Sequence, residues 1–178
     1  MVSIRGIIQG IRDIGARIGA EAEAEALAAE ILAGLDRIEK RVEGFPRRKV
    51  FFCLGRTPGS LKGLFTVGGP SFLSELLGTA GGQNIFADVT SDFPEISVES
   101  LNARAPDVIM ETYPSQELSV QRREQLTADW QALPDLPAVR DGRIHFLTED
   151  YLLLPGPRVV QIAGKFADVL HPETADGR

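Results

Sequence analysis

At 178 residues, with 43% hydrophobic and 25% charged side chains, the chain can bury the core of one domain, or of one domain with an appendage. A net charge of -6 argues against a nucleic-acid surface, which needs a basic stripe, and one cysteine with two histidines excludes an internal disulfide framework and a histidine-rich or cysteine-rich metal site. There is no run of about 18 apolar residues to span a membrane, and Met1-Val-Ser-Ile-Arg-Gly6 lacks the basic segment, apolar run and cleavage site of a signal peptide.

The first element reads as a helix over 3–18. Ile4, Ile7, Ile8, Ile11, Ile14 and Ile18 recur every three or four residues, Ser3 is a suitable N-cap, and Gly15 and Gly19 signal an end near residue 18. A second helix is expected from about Glu21 to Val42. It is rich in Ala, Glu and Leu, carries a Leu27, Ile31, Leu35, Ile38, Val42 stripe, and ends at Gly44-Phe-Pro46. Acidic residues lead it and Lys40 and Arg41 close it, in keeping with the helix dipole.

Beyond Pro46 the pattern changes. Lys49 to Leu54 is a continuous apolar run, as in a buried parallel strand, and Gly55-Arg-Thr-Pro-Gly-Ser60 is a loop. A helix opens at Gly69-Pro70 and runs to about Leu77; Ile85-Phe86 reads as a short strand; Ser97 caps a helix to about Ala103. Asp107–Glu111 and Arg143–Leu147 read as strands, 116–133 as a helix, and Pro157–Leu170 as the last helix. This alternation predicts an α/β fold, a three-layer doubly wound (Rossmann-like), mostly parallel sheet preceded by a long helix. Pro172 to Arg178 is expected to be a frayed tail.

Several segments resemble, in order and spacing, the siderophore and cobalamin substrate-binding proteins of ABC importers, whose two α/β lobes are joined by one long helix. They are Ile11-Arg-Asp-Ile-Gly15 with the Ala/Glu-rich helix, the 49–54 strand with its Gly-Pro loop, and Phe72-Leu-Ser-Glu-Leu-Leu-Gly78 leading to Gly81-Gly-Gln-Asn-Ile-Phe-Ala-Asp88. Ile96-Ser-Val-Glu-Ser-Leu101, Ala105-Pro-Asp-Val-Ile109, the stretch Trp130 to Arg143, and the last helix from Gly156-Pro157 complete the set. The resemblance covers about residues 5–171 and implies the C-terminal lobe. It divides the chain into a helix left over from an N-terminal lobe (1–19), the connecting helix (20–45), the α/β lobe (46–172) and a tail (173–178). An N-terminal lobe would stand before it, so the chain is expected to be either a truncated form or a free-standing half.

In such proteins the ligand lies in a cleft between the lobes, against loops at the carboxyl ends of the strands. The resemblance therefore implies candidate ligand contacts at Arg56, Thr57, Phe93, Tyr113 and Tyr151. Phe93, in Asp92-Phe-Pro94, is similar in position to an aromatic of cobalamin-binding members; a buried loop anchor is the plainer reading. Arg56 offers a planar fork to carboxylates or catecholates, or is a solvated loop charge. Tyr113 and Tyr151 each offer a flat face and a hydroxyl, or ordinary packing. Glu99 matches the acidic residue that docks this lobe on permease arginines, although a first-turn glutamate is favoured by the helix dipole alone. A ferric siderophore, haem or a corrinoid is the implied ligand of the two-lobe form, an ABC permease the implied partner, and the periplasmic side the implied location.

No catalytic constellation is present. No Gly-x-Ser-x-Gly elbow surrounds a serine, the loop 55–62 lacks the Gly-Lys-Ser/Thr ending of a phosphate loop, and no resident cofactor or metal is expected. Two alternatives stay open. One is an interaction module derived from the lobe, associating through the isoleucine face of helix 3–18, as a dimer or by folding back on its own lobe. The other is a doubly wound α/β enzyme using the 55–60 loop.

Overall fold

A computed structural model describes residues 2–174. The Ser3 hydroxyl accepts from the Gly6 amide at 3.0 Å and starts α1 (Ile4–Ile18). Helix α2 (Glu21–Val42) follows almost at once, about 33 Å long at the usual rise. The two form a tight hairpin because Gly15 has no side chain: a Cβ there would stand 2.3 Å from the Cβ of Ala24. Arg12 and Glu25 clasp it with a bidentate ion pair at 2.7 and 2.8 Å. Of the two arrangements expected for the isoleucine face, α1 adopts the fold back onto its own lobe. Ile7 and Ile8 are buried, the Ile4 amide donates to Glu75 at 2.8 Å, and the Phe72 amide donates to the Val2 carbonyl at 2.9 Å. Ile14 and Ile18, nearer the hairpin tip, remain 62% and 71% exposed.

The remaining elements are β1 (Arg48–Gly55), β2 (Leu64–Thr66), α3 (Phe72–Thr79), β3 (Gly82–Asn84), β4 (Glu95–Ile96), α4 (Val98–Arg104) and β5 (Val108–Thr112). Then come α5 (Val120–Trp130), α6 (Pro137–Arg140), β6 (Ile144–Leu147), α7 (Val159–Leu170) and a 3-10 turn at Pro172–Thr174. The last of the residues expected as a tail, 175–178, lie outside the described residues.

The sheet runs β4-β2-β1-β5-β6, with β3 joined to the first half of β1. Pairings β1–β3, β1–β5 and β5–β6 are parallel; β1–β2 and β2–β4 are antiparallel. The α/β class holds, and three of the five pairings are parallel, but the sheet is mixed. The departure is confined to one edge, where β2 turns back beside the end of β1. Strand β3 also ends just before the expected Ile85-Phe86, which instead turn inward as core residues.

Side-chain alternation along β1 builds the three layers. Val50 and Phe52 face a core shared with α1, α2, α3 and α7. Phe51 and Cys53 face a second core that takes in Leu101 of α4, Trp130 of α5 and Val139 of α6. Burial among apolar groups, with Glu111 nearby, pushes the Cys53 thiol well above its usual range, so it acts as a small hydrophobe. Helix α7 lies along α2, tied by Arg41 to Asp168 at 2.9 Å. Strands β1, β5 and β6 therefore point their carboxyl ends the same way, and the loops after them gather at one edge.

Candidate functional site

Strand order decides which candidates can meet. From one side of the sheet to the other, the carboxyl edge presents the exit of β4 toward Glu99, the loop after β1 with Arg56 and Thr57, the loop after β5 with Tyr113, and the loop after β6 with Tyr151; β4 runs parallel to β1, so its entry with Phe93 lies set back from this edge, toward the amino end of β1. Five strands at about 4.8 Å apart make this edge on the order of 20 Å wide. Between the β5 and β6 loops lies a cavity of about 580 Å³, lined by Ser115, Gln116, Glu117, Arg123, Thr148 and Asp150 among others. Its floor is set by the Ser115 amide, which donates to the Thr148 carbonyl at 3.0 Å, with Ser115 held at φ 59. A positive φ on a non-glycine residue is uncommon and locally costly. A second cavity, about 370 Å³ and lined by Asp36, Phe45, Arg47 and Gly81 among others, lies at the opposite end of the strands.

The Arg56 side chain is only 2% exposed, and its guanidinium is already engaged. Nε donates to Glu111 at 2.8 Å; Nη1 donates to Asp129 at 2.7 Å and to the Ser60 carbonyl at 2.9 Å. The guanidinium carbon lies 5.4 Å from the centre of the Trp130 ring. Burial works against its charge, but the bonds to Asp129 and Glu111 prevail and raise its pKa. The ligand-pairing expected of Arg56 thus meets a fork with its main donors already in use, which ties the loop after β1 to β5 and α5. Thr57 beside it is exposed, and its backbone amide closes that loop on the Lys62 carbonyl at 2.9 Å.

Glu111, which the sequence reading passed over, is the hub. Besides Arg56 it accepts the Tyr113 hydroxyl at 2.6 Å and the Trp130 indole N–H at 2.8 Å. Tyr113 is half-buried, and burial together with the bond to Glu111 keeps its phenol protonated well beyond its usual range. Its ring stacks edge-on to Phe146 at 6.2 Å. A signal was available: Glu111 is the one charge in the run Val108-Ile-Met-Glu-Thr112, and a charge buried in a strand requires partners.

Tyr151 is half-buried against the α2/α7 core, with the Arg158 guanidinium 5.2 Å from its ring centre. Phe93 is 55% exposed rather than a buried anchor. Phe65 on β2, absent from the sequence candidates, is 44% exposed and pairs in register with Gly55 at the tip of β1 and with Glu95 on β4. The two-residue period puts Phe65 and Phe93 on the same face of the β2–β4 side of the sheet. The structure therefore brings Arg56 and Tyr113 together through Glu111, leaves Tyr151 at the β6 side of the row, and sets Phe93 back from the row beside the β2–β4 pair.

Glu99 is exposed in the first turn of α4, where its own backbone amide and the Ser97 side chain lower its pKa. Ser97 caps that turn, accepting from the Ser100 amide at 3.2 Å. Ser97→Ala is expected to cost about 1 kcal/mol of stability, read as a shift in the urea midpoint at constant slope. No shift would mean that the turn holds without its cap.

Residues 3–151 match the family of periplasmic binding proteins. The chain belongs to that family. This periplasmic binding protein is 27% identical over 179 residues to the cobalamin-binding protein of Halobacterium salinarum, covering 97% of the chain and 46% of the relative. It is 27% identical over 169 residues to the vitamin B12-binding protein of Salmonella choleraesuis, covering 95% of the chain and 58% of the relative. The chain thus spans about half the length of these relatives. Among solved structures, a possible iron-binding (periplasmic solute-binding) protein from Staphylococcus epidermidis superposes with a TM-score of 0.82 at 23% identity, covering 96% of this chain and 64% of that one. A protein of an ABC-type Fe3+-hydroxamate transport system from Saccharomonospora viridis gives 0.78 at 22% identity, covering 96% and 57%. These two likenesses establish the fold; the binding-protein character comes from the family. Among the described residues no cluster of histidine, cysteine and carboxylate side chains could hold a metal ion.

Proposed function

We propose that the chain is the C-terminal lobe, with the connecting helix α2, of an extracytoplasmic solute-binding protein that delivers a metal chelate to an ABC importer. The chelate is a ferric siderophore, haem or a corrinoid, and no bond is made or broken. The observation that carries this reading is the row of loops at the carboxyl edge, with the exposed Phe65 and a cavity, in a chain of this family. On this reading the exposed tip of the α1/α2 hairpin, with Ile14 and Ile18, is the ground a second lobe covers. Glu99, exposed beside the same edge, is the permease contact.

Calorimetric titration of an intact two-lobe form with cyanocobalamin, haemin and a ferric hydroxamate tests it, because the chain alone offers one wall of the cleft and is expected to bind weakly or not at all. One of these is expected to bind, and Phe93→Ala to weaken that binding about tenfold, the effect of truncating an aromatic anchor. Absence of heat with all three sinks the proposal; an unchanged affinity in the variant removes Phe93 from the site.

A further inference from the structure

We propose that the cavity at the amino ends of the strands is a second binding site, for a small organic cation that carries an ammonium or guanidinium group on a short apolar stem. It lies at the far end of the sheet from the row of loops, so it stands or falls independently of the reading above. At about 370 Å³ it is large enough for such a molecule.

The charges set the sign of the occupant. Helices α2 and α3 end at its wall with Val42 and Thr79, and the carboxyl end of a helix carries partial negative charge. Glu39 and Glu43 line the same wall, in the last turn of α2 and just beyond it, where that dipole disfavours a carboxylate. The cations of the wall are already engaged. Lys40 pairs with Asp36 at 2.7 Å, and Arg47 donates to the Gly82 and Gly78 carbonyls at 3.2 and 3.4 Å. Among the described residues, no cation stands within ion-pair distance of Glu39 or Glu43.

An independent observation comes from behind this wall. His171 caps α7 and is wholly buried, yet neither ring nitrogen has a hydrogen-bond partner. Buried polar groups in folded proteins are almost always paired. The Glu173 carboxylate stands 3.6 Å from Nδ1, too far for a hydrogen bond. Nε2 is turned toward Gly81, a residue of the cavity wall: a Cβ there would stand 2.5 Å from it, and left-handed Gly81 has none. Phe45, also of the wall, packs on the imidazole with ring centres 5.6 Å apart. A neutral imidazole keeps one nitrogen as an acceptor, and an N–H of the cation, entering beside Gly81, supplies the donor. The half-exposed Phe45 ring adds an aromatic partner for the same charge, and Val42 an apolar surface for the stem.

Agmatine, an alkyl chain with an ammonium at one end and a guanidinium at the other, is the probe. It is titrated into the 178-residue chain at constant ionic strength, followed by calorimetry and by the nitrogen-15 signals of the imidazoles. His145, on β6, is the internal reference. Saturable binding is expected, with the His171 signals moving and those of His145 still. The double variant Glu39→Gln, Glu43→Gln should weaken binding at least about tenfold without altering the circular dichroism melt, because both side chains are exposed. Added salt should weaken it as well, since the charge pairs formed are partly open to solvent. Absence of saturable binding at millimolar agmatine overturns the proposal, as does heat without a His171 shift, an equal shift of both histidines, or unchanged affinity in the double variant. The same His171 response to sodium chloride at matched ionic strength also overturns it, because it reports a counterion atmosphere and not a site. None of these results bears on the cleft.

Discussion

Arg56→Met should lower the stability of this domain by about 3–5 kcal/mol, the cost of removing one partner from a buried ion pair. For a chain of this size that is a fall on the order of 10 °C in the thermal midpoint. Glu111 is 1% exposed at its side chain, so on losing the guanidinium it keeps only the Tyr113 hydroxyl and the Trp130 indole as donors. A buried carboxylate without its countercharge must either pay the desolvation cost or take up a proton. The second variant, Arg56→Met with Glu111→Gln, removes that stranded charge and should recover a large part of the loss. Non-additivity of this kind is expected for groups that share one network. Circular dichroism melts of the two single variants and the double variant read the coupling directly. Additive losses, or a single-variant loss under about 1 kcal/mol, would mean that the pair is screened by water and does not hold the edge together.

The three layers were legible from the sequence because the signals that define them are local. The isoleucine spacing, the Ala/Glu-rich stretch and the Ser3 and Ser97 caps gave α1, α2 and α4 nearly to the residue. The apolar run at 49–54 gave β1, which is buried on both faces. What escaped is held by contacts distant in sequence. Strand β2 is three residues long and β4 two, and neither has a pattern of its own; β2 forms only because it lies beside β1 and receives β4. Strand β3, Gly82-Gln-Asn84, has poor strand formers and is secured by parallel pairing with Arg48–Val50. Helix α5 starts at Val120 rather than near 116, because the left-handed Ser115 and the Ser119 cap set a later beginning. At the site, family position suggested Phe93, Tyr113 and Tyr151, but residue type alone could not tell an exposed arginine from a paired one. Arg56 meets Glu111 and Asp129 across 55 and 73 residues of chain, and that separation leaves no periodicity to read.

Gly68→Ala is expected to be the most damaging single-methyl change beside the Phe93 loop. A Cβ at Gly68 would stand 1.8 Å from the Ser91 carbonyl oxygen and 2.9 Å from that of Val89, and both are backbone atoms that no rotamer change can move aside. The same segment is fastened to the Phe93 loop: the Thr66, Gly68 and Gly69 amides donate to the Pro94, Asp92 and Val89 carbonyls at 3.0, 2.9 and 3.0 Å. Asn84 secures it from beneath, its amide donating to the Val67 carbonyl at 2.9 Å and its side-chain oxygen accepting from the Phe86 amide at 3.0 Å. Accommodating the methyl therefore requires the 87–94 segment to shift away, at a cost of about 3 kcal/mol or more, the upper end for overpacking. Phe93 would move with it, so ligand affinity should fall together with stability. Arg56→Met acts instead on the loop after β1 and on α5. Gly10→Ala is the matched control, since a Cβ there meets nothing within 4 Å and Ala is the better helix former. It should leave stability unchanged or raise it by up to about 1 kcal/mol. Equal urea midpoints for the Gly68 and Gly10 variants would show that the 66–69 and 87–94 segments are not in the close register from which the exposure of Phe93 follows.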